Sequence, residues 1–239
     1  MAGNDEHTQR PTIGFRIMGD RGLLVEYGHT IDEAVNHKVR SVAAAVAAKP
    51  PQGVLEAVPA YRSLLVIYDP LTTGIRRLQD YFRRLEKRID RIAVPPPQTL
   101  DIPVCYGGDF GPDLDFVARS HDLTPQEVIA LHTARTYTVC MIGFSPGFPF
   151  LGGLAPELST PRLKTPRTRV PRGSVAIANS QTGIYPLESP GGWQLIGRTP
   201  LKLFDPFAEP PVPYRTGDRI RFTSITDREY RRLRQEQFS

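Results

Sequence analysis

The sequence predicts an α+β protein in two parts, a small sandwich of helices on an antiparallel sheet followed by a β-barrel. Three observations carry that expectation. The first half reads strand, strand, helix, strand, strand, helix; the second half breaks into short β-type runs between Pro- and Gly-rich loops; and Pro95-Pro96-Pro97 stands between them. Proline lacks the N–H a helix needs and biases its predecessor toward extended backbone, so the triplet ends a helix and reads as a stiff linker. The expected boundaries are a disordered lead-in over 1–12, a sandwich over 13–94, a linker over 95–99 and a barrel over 100–239.

In the first half, Ile13–Met18 and Leu23–Tyr27 flank Gly19-Asp20-Arg21-Gly22, which predicts a hairpin. Thr30-Ile31-Asp32-Glu33 has the form of a capping box. Behind it Ile31, Val35, Val39, Val42 and Val46 make one helical stripe that stops at Pro50-Pro51. Strands are predicted around Val54–Val58 and Ser63–Tyr68. A second helix is predicted from Gly74 to Ile92, burying Ile75, Leu78, Phe82, Leu85, Ile89 and Ile92. Its arginines are interleaved with Asp80, Glu86 and Asp90, the pattern of a solvated charged face.

In the second half, Thr124-Pro125-Gln126-Glu127 combines an N-cap, a proline in the first turn and a capping-box acid, and opens a short helix through His132. Thr136–Phe144, Ser174–Ala178, Trp193–Gly197 and Arg219–Thr223 read as strands.

Composition excludes several classes. No run approaches the ~18 apolar residues of a membrane span, and the N-terminal MAGNDEHTQRPT has no apolar core of a signal peptide. Cys105 and Cys140 form no metal-ligating cluster and no disulfide framework, so neither a metal site nor an oxidising compartment is expected, and the location is read as cytoplasmic. Thirty basic against twenty-five acidic residues leave a charge of +5. The excess lies on the second helix and on the tail DREYRRLRQE, with no basic patch interleaved with aromatics, which argues against nucleic acid.

The loops carry the chemistry. Gly143-Phe144-Ser145-Pro146-Gly147 has the form G-x-S-x-G, but the residue after the serine is proline and has no N–H to donate to an oxyanion. A Gly/Pro-shaped turn presenting Phe144, Phe148 and Phe150, with Phe144, Ser145, Gly147 and Phe148 as a pocket loop, is the better reading. Arg162 to Arg172 holds five cations in eleven residues, spaced by prolines that preclude a helix. It is either a solvated loop or an anion receptor built on Arg167 and Arg169, whose guanidinium forks suit carboxylates and phosphates. Gln181, Tyr185, Glu188, Ser189, Gly191, Gly192 and Trp193 gather an amide, a phenol, a carboxylate, a hydroxyl and the sole tryptophan beside two glycines. Gly191 and Gly192 would let a ligand approach the backbone, with Trp193 as a wall or as ordinary core. Acid–base chemistry would rest on Glu188 and His132, the latter a residue more often structural on a helix. No Walker A sequence is present to hold ATP.

Four of these stretches, Ile129–His132, Met141–Gly153, Thr165–Ser174 and Gln181–Arg198, with Tyr61–Leu65 and Asp69-Pro70 in the first half, resemble one family. It is the family of the 5-oxoprolinase component PxpB and the Kip kinase inhibitor, which includes the allophanate hydrolase subunit 1 or carboxyltransferase-type domain of urea carboxylases. The resemblance implies a ferredoxin-like first domain and a cyclophilin-like barrel. It also implies a B subunit, inactive alone, in a complex with PxpC-like and PxpA-like subunits that opens 5-oxo-L-proline to L-glutamate at the expense of ATP. ATP would be held by the complex. The alternatives within the family are an inhibitor of a sensor histidine kinase and a carboxyltransferase subunit acting on a urea-like substrate. Asn179-Ser180 departs from the family's small residues at that point.

Overall fold

The computed structural model describes residues 13–29, 32–89, 92 and 94–237. The lead-in expected over 1–12 lies outside these residues. The chain divides into two compact units, Met1–Pro95 and Pro96–Ser239.

The first unit runs β1 (Gly14–Met18), β2 (Gly22–Glu26), α1 (Glu33–Ala48), β3 (Val54–Pro59), β4 (Ser63–Tyr68) and α2 (Ile75–Glu86). Its strands form one antiparallel sheet in the order β1-β2-β4-β3. Alternation along β4 sends Leu64, Val66 and Tyr68 to one face. There they meet Leu23 and Val25 of β2, Val39, Val42 and Val46 of α1, and Leu78 and Phe82 of α2 in a single core. The cap of α1 is Asp32, whose carboxylate accepts the N–H groups of Ala34 and Val35 at 2.7 and 3.1 Å. Thr30 and Ile31, the start of the expected capping box and stripe, are outside the described residues. Helix α2 ends at Glu86 instead of reaching Ile92. Arg83/Lys87 and Arg84/Arg88 would place like charges one turn apart, while Ile89 still packs on the core beyond the helix end. The element order is ββαββα, where a ferredoxin-like domain runs βαββαβ. The two share one cyclic order, with the final strand moved to the front.

The second unit runs β5 (Thr99–Tyr106), α3 (Leu114–Ser120), α4 (Pro125–Thr133), β6 (Thr136–Ile142), β7 (Pro149–Gly152), β8 (Arg167–Val170), β9 (Ser174–Ala178), β10 (Gln181–Ile184), β11 (Ser189–Gly191), β12 (Gln194–Arg198), β13 (Arg219–Ser224) and α5 (Asp227–Glu236). Seven strands close into a barrel in the order β10-β7-β6-β13-β5-β12-β9, while β8 and β11 pair as a separate ribbon. Ile102, Val104, Tyr137, Val139, Val175, Ile177 and Phe222 fill the interior together with Leu114 and Val117 of α3 and Val128 of α4. Both halves of the Thr124–Glu127 capping box are formed. The basic loop holds the strand β8, and the basic tail is the helix α5. The residue pattern marked neither as a regular element, nor did it mark α3. Asn179, where the chain departs from the small residues of the family, turns β9 into β10 with φ +51, a left-handed conformation that asparagine tolerates better than most residues.

Candidate functional site

All five residues of β9 are buried. Val175 and Ile177 face the interior, whereas Ala176 and Ala178 lie under a second apolar cluster on the outside of the barrel. Pairing of Gln181 with Ala178 and of Gly183 with Ala176 puts Gln181 and Gly183 on that outer face. Above it pack Phe148, Val170, Tyr185, Trp193 and Leu195, flanked by Phe150. Phe148 meets Tyr185 at 5.0 Å and Trp193 at 5.5 Å between ring centroids, both nearly perpendicular, the favoured edge-to-face geometry. Phe144 adds a further edge contact to Phe148 at 5.6 Å yet is 67% exposed.

The loop 143–148 explains that exposure. Gly143 donates its N–H to the Phe148 carbonyl, and Phe148 donates to Ser145, closing a tight hairpin between antiparallel β6 and β7. The turn forces Phe144 to φ +69, a left-handed conformation unusual for a bulky residue. Gly147, at φ +77, accepts the Tyr214 hydroxyl on its carbonyl at 2.6 Å. A nucleophile elbow joins a strand to a helix, so the hairpin context and Pro146 together exclude a serine hydrolase. The buried Ser145 hydroxyl has no hydrogen-bond partner among the described residues, and neither has that of Ser189.

The expected ligand-approach glycines serve the protein itself. A Cβ on Gly191 would lie 2.3 Å from the Tyr185 hydroxyl, so the missing side chain makes room for that ring. Gly192 accepts the Leu163 N–H on its carbonyl at 2.7 Å. Burial pushes the Tyr185 phenol up in pKa, partly offset by the neighbouring Trp193 backbone. Trp193 is 5% exposed and belongs to the outer cluster, with the Arg162 guanidinium 5.8 Å from its centroid.

The two arginines expected from sequence to form one anion receptor are separated by their partners. Arg167 Nη2 donates to Asp113 Oδ1 at 2.7 Å, and Asp113 Oδ2 accepts the Leu195 N–H at 2.7 Å. One buried carboxylate thereby clamps the start of α3 to β8 and β12. Arg169 pairs with Glu188 at 2.7 Å on the surface, where the side chains are 75% and 48% exposed. Neither arginine is an empty receptor, and Glu188 is an ion-paired surface carboxylate.

His132 does not serve as an acid–base group either. It is fully buried inside the barrel unit, with Nδ1 bonded to the Tyr106 hydroxyl at 2.8 Å and Nε2 to Thr182 Oγ1 at 3.0 Å, and its ring stacks on Phe222 at 4.6 Å. Burial pushes its pKa down to about 3. It is a neutral interior anchor joining α4 to β5 and β10. The structure thus gathers Phe144, Phe148, Tyr185, Gly191 and Trp193 on the outer wall, with Arg167 at its base, and removes His132 and Glu188 from it. Sequence reasoning missed Asp113 and the particular role of Arg162. Pro112-Asp113 ahead of the Leu114/Val117 pattern was the available signal of a helix start. Among the described residues no group of His, Cys, Asp and Glu could hold a metal ion.

The same fold occurs in known proteins. Residues 13–214 match the family model "Carboxyltransferase domain, subdomain C and D". The chain is 43% identical to the 5-oxoprolinase B subunit of Bacillus subtilis (strain 168), over 94% of this chain and 99% of that protein. It is 40% identical to the 5-oxoprolinase B subunit of Escherichia coli O157:H7, over 86% and 93% respectively. The crystal structure of the K. lactis urea amidolyase superposes with a TM-score of 0.78 at 22% identity, over 95% of this chain and 16% of that one, a likeness of fold. The barrel fits the cyclophilin-like fold. With the match spanning both units, the chain belongs to the carboxyltransferase-domain family of subdomains C and D, alongside 5-oxoprolinase B subunits.

Proposed function

We propose that this protein is the B subunit of a 5-oxoprolinase complex, in which ring opening of 5-oxo-L-proline is coupled to ATP hydrolysis. The observation that carries the reading is 43% identity along 99% of a 5-oxoprolinase B subunit. In the reaction, water adds across the lactam C–N bond, its oxygen to the acyl carbon and a proton to the nitrogen, giving L-glutamate.

The chain's own groups support a dependent role. His132 is neutral and sealed, and Glu188 is tied to Arg169. The outer wall offers aromatic area around Phe144 but, among the described residues, no titratable pair to move protons. Those groups, and the principal machinery for ATP, come from PxpC-like and PxpA-like partner subunits. The first unit is a circularly permuted ferredoxin-like domain on this reading. A cytoplasmic location accords with the described residues, where no helix is long and apolar enough to cross a membrane.

Reconstitution tests the proposal. The purified chain should not open 5-oxoproline with ATP, the two partner subunits without it should turn over poorly, and the three together should be active. Robust turnover by the chain alone, or full turnover without it, overturns the reading.

A further inference from the structure

Helix α5 packs on the barrel unit through Tyr230, which is buried against Phe110 at 4.6 Å between ring centroids. Between α5 and the ends of β8 and β12 lies a groove of about 710 Å³ lined by Arg172, Arg198, Arg231, Arg234, Glu188 and Tyr230 among others. Several arginines of this unit are matched with acids. Arg221 holds Asp101 through two bonds of 2.6 and 2.8 Å, Arg231 holds Asp227, and Arg232 holds Glu236.

Two arginines of the groove differ from these. Among the described residues neither Arg198 nor Arg234 has a carboxylate within ion-pair reach. The Nε of Arg198 is buried without a hydrogen-bond partner, and its Nη2 reaches only the Asp109 carbonyl at 3.4 Å. A buried charged N–H without an acceptor is costly to fold around unless something supplies one. Arg172 is partly buried, and burial together with the Arg234 charge pushes its pKa down, so these cations stand close enough to repel. The one acid in the lining, Glu188, is already neutralised by Arg169 at 2.7 Å.

A single carboxylate is satisfied by one guanidinium fork. Several forks around a groove of small-ligand size call for several negative charges held close together. Pro171, Pro200 and the Tyr230 ring in the same lining give an uncharged remainder of the ligand something to lie against. We propose that this groove binds the di- or triphosphate group of a phosphorylated small molecule, with Arg198 and Arg234 as its principal ligands. The site is a property of this chain alone, so its test does not depend on the partner subunits or on the substrate assigned above.

The test is calorimetric titration of the purified chain with sodium tripolyphosphate at fixed ionic strength, with citrate as the tricarboxylate arm. Saturable binding is expected, weakened by about ten-fold or more in Arg198→Ala and in Arg234→Ala. Arg228→Ala removes the same charge from the same helix outside the groove and should bind like the parent. Arg198→Lys keeps the stem and charge but not the fork, and keeps the test readable if Arg198→Ala melts early; it too should bind more weakly. Absence of saturable binding, equal weakening by Arg228→Ala, or tighter binding of citrate than of tripolyphosphate would each overturn the assignment.

Discussion

Two groups of arginines in the barrel unit look alike in the sequence and differ in the fold. Those of β8 lie in a run of five cations in eleven residues, Arg162 to Arg172, and each has found a carboxylate: Arg167 takes Asp113, fifty-four positions away, and Arg169 takes Glu188. The two groove arginines assigned as ligands come from separate segments, Arg198 at the end of β12 and Arg234 on α5, and have none among the described residues. Whether a cation is available to a ligand is decided by what the chain brings opposite it, not by how many cations are consecutive.

The largest effect should come from breaking the β8 clamp. Asp113→Ala leaves Arg167 without its partner and the buried Leu195 N–H without its acceptor. Loss of such a carboxylate should cost about 3 kcal/mol, read from denaturant unfolding of the barrel unit. Arg167→Lys cannot reproduce the fork and should lower the melt of the isolated chain. An unchanged melt would return Arg167 to the ligand-binding role read from sequence.

A pH dependence tests the interior role of His132. Its folded pKa, about 3, lies below its unfolded value of 6.5. The unfolded chain therefore binds a proton that the folded chain refuses, and stability falls as pH drops below about 6.5, by about 2 kcal/mol at pH 5 from this residue. Above pH 6.5 the histidine contributes no slope. His132→Asn should flatten the pH 5–6.5 segment, and an equal slope in both proteins would place the titrating group elsewhere. Smallest of all, Arg169→Ala should change stability by at most about 0.5 kcal/mol, because its pair with Glu188 is exposed.

Local features were legible in the sequence. The Thr124–Glu127 cap, the β9 strand over Ser174–Ala178 and the α1 stripe from Val35 to Val46 are all set by neighbours in the chain, and all are formed where the residue pattern places them. Helix α5 was equally legible in principle, since Thr226 and Glu229 form the same capping box as Thr124 and Glu127. Its short apolar face, carried chiefly by Tyr230, was outweighed by the many charges of DREYRRLRQE. The site was legible as aromatic and glycine content but not as geometry. Gly191 faces Tyr185 and Arg167 faces Asp113 because the ribbon folds over the barrel wall, and a single sequence carries no trace of that pairing.

The tripolyphosphate titration, applied to one arginine from each group, tests the comparison most directly. Arg234→Ala should lose about ten-fold or more in affinity, while Arg167→Lys should stay within about two-fold of the parent at a temperature where both are folded. The reverse result, with binding lost in Arg167→Lys and kept in Arg234→Ala, would contradict the account and make the β8 loop the anion receptor.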